Sequence, residues 1–166
     1  MNREAVLFKY ISQSKQTTIV IHAQPDGDAI GSSLALKELI RKLGGRAEVY
    51  CCDKLPTIYS SLGDAISYSD TIINKADLII FVDCPDFRLT GLNKYDLTTK
   101  KVVSIDHHVS SKINKYTDAN IYLTKPSTAE IIWELFKDFE LPIDHIVSDY
   151  LLMGIYTDTG GLVHSN

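Results

Sequence analysis

Acidic residues and histidines directly follow three apolar segments of the chain. They are His22, Asp26 and Asp28 after the first segment, Asp83 after the second, and Asp106, His107 and His108 after the third. Imidazole and carboxylate groups bind divalent transition metals, whereas several carboxylates brought together without a cation repel one another. Because the set contains no thiolate, it suits Mn²⁺, Fe²⁺, Co²⁺ or Zn²⁺, and of these we favour Mn²⁺.

The apolar segments themselves are typical of buried β-strands. They are residues 17–22 (TTIVIH), 77–82 (DLIIFV) and 101–105 (KVVSI). In open α/β sheets, ligands bind at the carboxyl ends of the strands, and neighbouring strands lie about 4.8 Å apart. Side chains that project from neighbouring strand ends can therefore share one ion or a close pair of ions.

Helices are expected between and after these strands. Apolar residues recur at helical spacing over residues 6–11, 29–43 and 144–156, and Ser127 with Glu130 forms a capping box ahead of one more helix. Short additional strands are predicted at residues 47–51 and 121–123, and an irregular or helical stretch at 58–65. This alternation predicts an α/β fold, Rossmann-like, with a mainly parallel sheet and helices on both faces.

Length and composition favour one soluble domain. The chain has 166 residues, 45% of them hydrophobic, and a formal net charge of -4. Binding of long nucleic acid normally needs clustered Lys and Arg, so this charge argues against such a partner and is compatible with short phosphorylated ligands. Neither a signal peptide nor an apolar run of about 20 residues is present, and we expect a cytoplasmic protein without a membrane partner. The three cysteines lack paired spacing and are expected to be reduced.

Each chemical feature also has an ordinary structural interpretation. The DGD sequence at residues 26–28 is, on its own, typical of a turn and helix N-cap, and Asp83 could simply end a strand. Asp158, near the predicted end of the last helix, could be solvated. A Rossmann-like domain with incidental acidic loops would need no metal, but the loop after the first strand lacks the GxGxxG pattern of dinucleotide-binding domains.

Four segments, taken together, resemble the motifs of the DHH phosphoesterases. They are residues 22–32 (HAQPDGDAIGS), Val82-Asp83, residues 106–108 (DHH) and residues 154–160 (GIYTDTG). The segments occur in the family's order and cover nearly the whole chain. The first is most similar to the branch that degrades very short oligoribonucleotides, dephosphorylates phosphoadenosine phosphate or hydrolyses cyclic dinucleotides. It is less similar to the single-strand DNA exonucleases and the manganese pyrophosphatases.

The resemblance implies a role for each candidate residue. It implies two divalent ions, most simply Mn²⁺. His22 and Asp26 would bind one ion, Asp83 would bridge the pair, and the ligands of the other ion would be Asp28, His107 and Asp158. Asp106 would support a histidine without touching an ion, as metal-bound imidazoles usually require. His108 would face the substrate phosphate. The residues expected to be catalytic are His108 and Asp83.

The resemblance also sets expectations for domains and activity. Residues 1–166 are expected to form a single DHH catalytic domain, without the family's second domain and its GGGH-like motif. The chain would then be a fragment or a minimal protein that obtains this half from a homo-oligomer or another partner. The expected reaction is hydrolysis of short oligoribonucleotides, cyclic or linear dinucleotides or 3′-phosphoadenosine 5′-phosphate, with weak activity of the chain alone. The alternatives are an inorganic pyrophosphatase-like hydrolase and a non-catalytic metal-binding or nucleotide-binding module.

Overall fold

Six parallel strands form one sheet in the computed structural model, which describes residues 2–92 and 97–163. The strands are β1 (Thr17–Val20), β2 (Ala47–Tyr50), β3 (Ile66–Ser67), β4 (Leu78–Val82), β5 (Lys101–Asp106) and β6 (Ala119–Tyr122). Their order across the sheet is β3-β2-β1-β4-β5-β6, with every neighbouring pair parallel. The predicted α/β fold is confirmed, and the strand order reverses direction between β1 and β4, where such sheets open a crevice.

Among the residues described, five α-helices connect and cover the strands. They are α1 (Arg3–Gln13), α2 (Gly27–Lys42), α3 (Thr71–Lys75), α4 (Thr128–Asp138) and α5 (His145–Asp158). Short 3-10 helices lie at Thr57–Ala65, Phe87–Thr90 and Ile113–Tyr116. No helix in the described part of the chain is long and apolar enough to cross a lipid bilayer.

Both faces of the sheet are buried. On β4, Leu78 and Ile80 belong to the larger core, which also contains residues of α1, α2, α4 and α5, whereas Ile79 and Phe81 belong to a smaller core with Ile73 of α3. This alternation follows from the period of two along a strand. Helices therefore cover both faces, as predicted, and the carboxyl ends of the central strands remain free for a site.

Helices α2 and α5 approach each other closely through glycines. A Cβ atom on Gly31 would collide with the carbonyl oxygen of Tyr150, and one on Gly154 would lie 2.6 Å from both the Ala129 Cβ and the Asp28 Oδ1. Glycine at these positions lets the helix backbones pack directly together. The packing places the end of α5 beside the start of α2.

Several predicted boundaries were wrong. The first strand was expected to reach His22 but ends at Val20; the N–H of Ile21 still donates to the Tyr50 carbonyl, whereas that of Ala23 donates to the Leu89 carbonyl outside the sheet. Helix α2 begins at Gly27 rather than at residue 29, since Asp26 caps it. The elements β3 and α3 were not predicted, since segments of two and five residues are too short to show a period.

Candidate metal centre

The loop after β1 places His22, Asp26 and Asp28 at the carboxyl edge of the sheet. Asp26 is the N-cap of α2, and its Oδ1 accepts hydrogen bonds from the backbone N–H groups of Asp28 and Ala29, each at 3.0 Å. The capping interpretation of the DGD sequence is therefore correct for Asp26. The Asp26 side chain is nevertheless 56% exposed.

Asp83 follows β4 in an unusual backbone conformation. Its φ is +52°, in the left-handed region that costs most residues other than glycine about 1 kcal/mol or more. Its backbone N–H still bonds to the carbonyl of Ile105 at 3.0 Å, which ties it to β5. The strained turn leaves the side chain buried, with 3% of its surface exposed, between the ends of β1 and β5.

The three histidines of the site are each oriented through Nδ1. In His22 this atom lies 2.7 Å from the carbonyl oxygen of Ala23, and in His107 it lies 3.0 Å from the carbonyl oxygen of Lys125. A carbonyl can only accept, so Nδ1 carries the proton and Nε2 is the nitrogen able to bind an ion. His108 differs, because its Nδ1 bonds to the Oδ1 of Asp106 at 2.7 Å.

The donor atoms converge on the two oxygens of Asp83. Its Oδ2 lies 3.9 Å from the Nε2 of His22, and its Oδ1 lies 3.7 Å from the Nε2 of His107. On the first side, Asp26 Oδ1 lies 3.9 Å from the same His22 nitrogen. On the second side, Asp158 Oδ2 from the end of α5 lies 3.6 Å from the His107 Nε2.

Three groups of potential ligands result, each with its donor atoms within 4.8 Å of one another. They are His22, Asp26 and Asp83; Asp28, His107 and Asp158; and Asp83, His107 and His108. The structure thus brings all six residues expected to hold metal to one place. Asp106 lies beside them and supports His108 rather than His107.

The site fits a divalent cation. The Nε2 of His107 is buried and has no hydrogen-bond partner among the residues that the structure describes. The carboxylate oxygens nearest to it stand at 3.6 and 3.7 Å, too far for a good hydrogen bond. Ligands that are each about 2.1 Å from one ion lie roughly 3 to 4 Å apart, so this spacing suits an ion between them.

Residues 16–155 match the DHH family, N-terminal domain. This chain belongs to the DHH family. It is 29% identical over 154 residues to the bifunctional oligoribonuclease and PAP phosphatase NrnA of Thermus thermophilus, an alignment that covers 89% of this chain and 44% of the relative. It is 27% identical over 147 residues to a probable manganese-dependent inorganic pyrophosphatase of Lactobacillus gasseri, covering 83% of this chain and 46% of the relative.

A solved structure shares the fold of this DHH domain. An exopolyphosphatase-related protein from Bacteroides fragilis superposes with a TM-score of 0.88 at 23% identity, covering 98% of this chain and 52% of that protein. The likeness shows the α/β architecture. This chain spans about half the length of the curated relatives it matches.

Burial makes the DHH-family site electrostatically unfavourable without a cation. Burial and the nearby Asp26 carboxylate raise the pKa of Asp83 to about 7. Burial and then the charge of Asp83 raise the pKa of Asp28 well above its ordinary value, although two backbone N–H groups act in the opposite direction. A divalent cation among these carboxylates would remove their mutual repulsion.

The charge of Asp106 acts on His108. Burial raises the pKa of Asp106, but the hydrogen bonds from His108 and Ser111 and the charge of His108 together outweigh burial, so the pKa lies below its ordinary value. The hydrogen bond between Asp106 and His108 is the main reason why the pKa of His108 is raised to about 9. The raised pKa favours the protonated form of His108, which is half-buried and has its Nδ1 3.7 Å from the Oδ1 of Asp83.

Sequence reasoning missed the groups that support the site. The hydroxyl of Thr128 donates to Asp83 Oδ1 at 2.8 Å, and the N–H groups of Thr128 and Ala129 donate to the Asp28 carboxylate. The capping box at Ser127 had located this helix start, and Ser127 does cap it. No feature of the sequence indicated that the start of α4 would lie beside the ends of β1 and β4.

Proposed function

We propose that this chain is the metal-binding part of a phosphoesterase that hydrolyses short oligoribonucleotides or small nucleotides. The observation that carries the proposal is the convergence of two donor groups on opposite oxygens of one buried carboxylate, Asp83. The relative from Thermus thermophilus, named an oligoribonuclease and PAP phosphatase, supports this substrate class.

Two divalent cations fit the donor groups best. His22 and Asp26 would hold one ion, Asp28, His107 and Asp158 would hold the other, and Asp83 would contact both. Mixed imidazole and carboxylate ligands without thiolate suit Mn²⁺. The name of the manganese-dependent pyrophosphatase relative supports the same choice of metal.

The bound cations would supply Lewis-acid neutralisation of phosphoryl charge and lower the pKa of a water molecule. The chain's own contribution is a fixed arrangement of charged side chains. His108, held by Asp106, would in its protonated form pair with a phosphoryl oxygen or donate a proton to the leaving oxygen. Its side chain is 38% exposed, so a substrate can reach it.

A short substrate agrees with the charge of the domain. The net charge is -4, and the centre itself is built from carboxylates. Long nucleic acid is bound mainly by cationic side chains that neutralise many phosphates. A dinucleotide or a single nucleotide needs only the cations and His108 at the reacting phosphate.

Hydrolysis of a diadenylate dinucleotide with added Mn²⁺, together with the bound-metal content, tests the proposal. Asp83→Ala should abolish turnover and lower metal binding, because it removes the carboxylate common to both groups. Asp83→Asn removes the charge but keeps the volume of the side chain. Asp64→Ala is the control, because it removes an exposed carboxylate from a 3-10 helix outside the centre. Wild-type turnover that persists in both Asp83 variants would refute the assignment.

Two other outcomes would favour other functions. Pyrophosphate cleaved much faster than any nucleotide ester would favour a pyrophosphatase, as named for the Lactobacillus gasseri relative. Two bound ions with no turnover of any of these substrates would favour a metal-binding module that acts by association.

A further inference from the structure

The first turn of α4 directs its free N–H groups to the metal centre. The first N–H groups of a helix have no partner within the helix and need acceptors from elsewhere. Ser127 Oγ accepts from Glu130 N at 3.2 Å, as an N-cap does. The N–H groups of Thr128 and Ala129 instead donate to the two oxygens of Asp28, at 2.7 and 2.9 Å.

Asp28 therefore occupies the position of an anion bound at a helix N-terminus. Such a position favours negative charge through the helix dipole and the aligned N–H groups. A separate N–H group donates to each Asp28 oxygen, so the carboxylate is held in one orientation. The residue is also buried, with 1% of its surface exposed. The bonds use one lone pair on each oxygen and leave others for an ion.

The side chain of Thr128 reaches a second carboxylate, that of Asp83. Thr128 is fully buried, and its hydroxyl donates to Asp83 Oδ1 at 2.8 Å. The rotation of an aspartate carboxylate about its last bond is broad and needs an external contact to fix it. In the observed rotation, Oδ1 faces His107 and Oδ2 faces His22, so each oxygen serves one donor group.

We propose that Thr128 is a positioning residue for the metal centre. It fixes the rotation of Asp83 through its hydroxyl and the orientation of Asp28 through its N–H. The start of α4 thereby sets both carboxylates in place before an ion binds. The assignment rests on the proposed function for the identity of the ligands, and it concerns a residue that contacts the ligands rather than the ions.

Replacement of the hydroxyl by a methyl group isolates this role. Thr128→Val keeps the β-branched shape and the N–H bond to Asp28 but removes the bond to Asp83. Loss of a partner that orients a metal ligand typically weakens binding or activity about 10- to 100-fold, and we expect Mn²⁺ binding by the variant to fall at least about 10-fold. Thr128→Ser retains a hydroxyl and should bind Mn²⁺ nearly as tightly as the wild type.

A matched control separates this effect from the loss of any buried hydroxyl. Thr18 on β1 is also fully buried and donates its hydroxyl to the Ile72 carbonyl at 3.1 Å, on the opposite face of the sheet from α4. Thr18→Val should lower stability without changing Mn²⁺ affinity. Calorimetric titration of Mn²⁺ into the four metal-stripped proteins, with circular dichroism to verify folding, measures both quantities.

The outcomes distinguish this inference from the proposed function. Wild-type Mn²⁺ affinity in folded Thr128→Val overturns the positioning role while wild-type hydrolysis still supports the phosphoesterase. If the valine variant does not fold, the serine variant decides, because weak Mn²⁺ binding despite its hydroxyl also overturns the role. A wild-type chain that binds no Mn²⁺ overturns both proposals.

Discussion

Substitution of Gly154 by alanine should both destabilise the protein and weaken its metal site. Glycine to alanine within an exposed helix normally stabilises by about 1 kcal/mol. Here the new Cβ would lie 2.6 Å from the Ala129 Cβ and 2.6 Å from the Asp28 Oδ1, distances that a carbon atom does not tolerate. The Ala129 Cβ is fixed to its backbone, and the Asp28 carboxylate is held by the N–H groups of Thr128 and Ala129, so neither neighbour can turn away freely.

The cost follows from the contacts that must shift. Overpacking in a closed core costs about 1 to 3 kcal/mol. Moving Asp28 also weakens its bond from Ala129 N–H, and a hydrogen bond to a charged group contributes about 1.5 to 3 kcal/mol. After the gain in helix propensity, the free energy of unfolding should fall by about 2 to 4 kcal/mol. For a domain of this size, Tm should fall by roughly 10 °C.

Thermal unfolding followed by circular dichroism, combined with Mn²⁺ titration, measures the effect of Gly154→Ala. Gly63→Ala is the control, since its Cβ would meet only the Tyr68 hydroxyl at 3.8 Å. We expect the control to match the wild type in Mn²⁺ affinity and to lie close to it in Tm. A Gly154→Ala protein as stable as the wild type and with unchanged Mn²⁺ affinity would show that α2, α4 and α5 do not meet as described.

Two further predictions concern pH. Asp77 accepts from Ser14 Oγ at 2.5 Å and from the N–H groups of Lys15 and Gln16, and although burial raises its pKa, these bonds outweigh that and lower it. A carboxylate with a lowered pKa contributes stability at pH values above its ordinary pKa near 3.9, and this contribution is lost as the pH falls through the lowered value. In urea unfolding, Asp77→Asn should therefore cost about 1 kcal/mol at pH 7 and progressively less as the pH falls below 3.9. Asp83, with its pKa raised to about 7, contributes stability at low pH that is lost as the pH rises through 7. The Tm of chelator-treated protein should therefore fall between pH 5 and pH 8 and recover with Mn²⁺, and a flat profile without metal would contradict this.

The sequence allowed the sheet and the ends of its central strands to be predicted because short β-branched runs and strand-end residues are local features. His22, Asp83 and His107 each follow a strand whose composition alone identifies it. Parallel pairing then brings the three strand ends to one edge, which a general rule for α/β sheets predicts. The family resemblance added Asp158, which no strand signal would have connected to the others.

The supporting groups could not be predicted because they depend on how distant elements meet. The carbonyl of Lys125 that orients His107 and the N–H of Ala129 that binds Asp28 are backbone groups, which every residue has. Only their positions in the fold bring them to the candidate site. Gly154 likewise belongs to a recognisable motif, but its need for a missing Cβ arises from the crossing of α5 with α2 and α4.

The centre joins the two ends of the domain, and this has a consequence for stability. Asp28 lies in the first turn of α2, yet its partners are 100 and 101 residues later in the chain, at the start of α4. Asp83 is held by the same turn, and Asp158 comes from the last turn of α5. Burying Asp28 and Asp83 raises their pKa values, so the carboxylates that unite these elements also oppose their assembly at neutral pH. Cation binding would reverse the sign of that interaction, and the folding of α4 and α5 onto the sheet is then thermodynamically linked to the occupancy of the site.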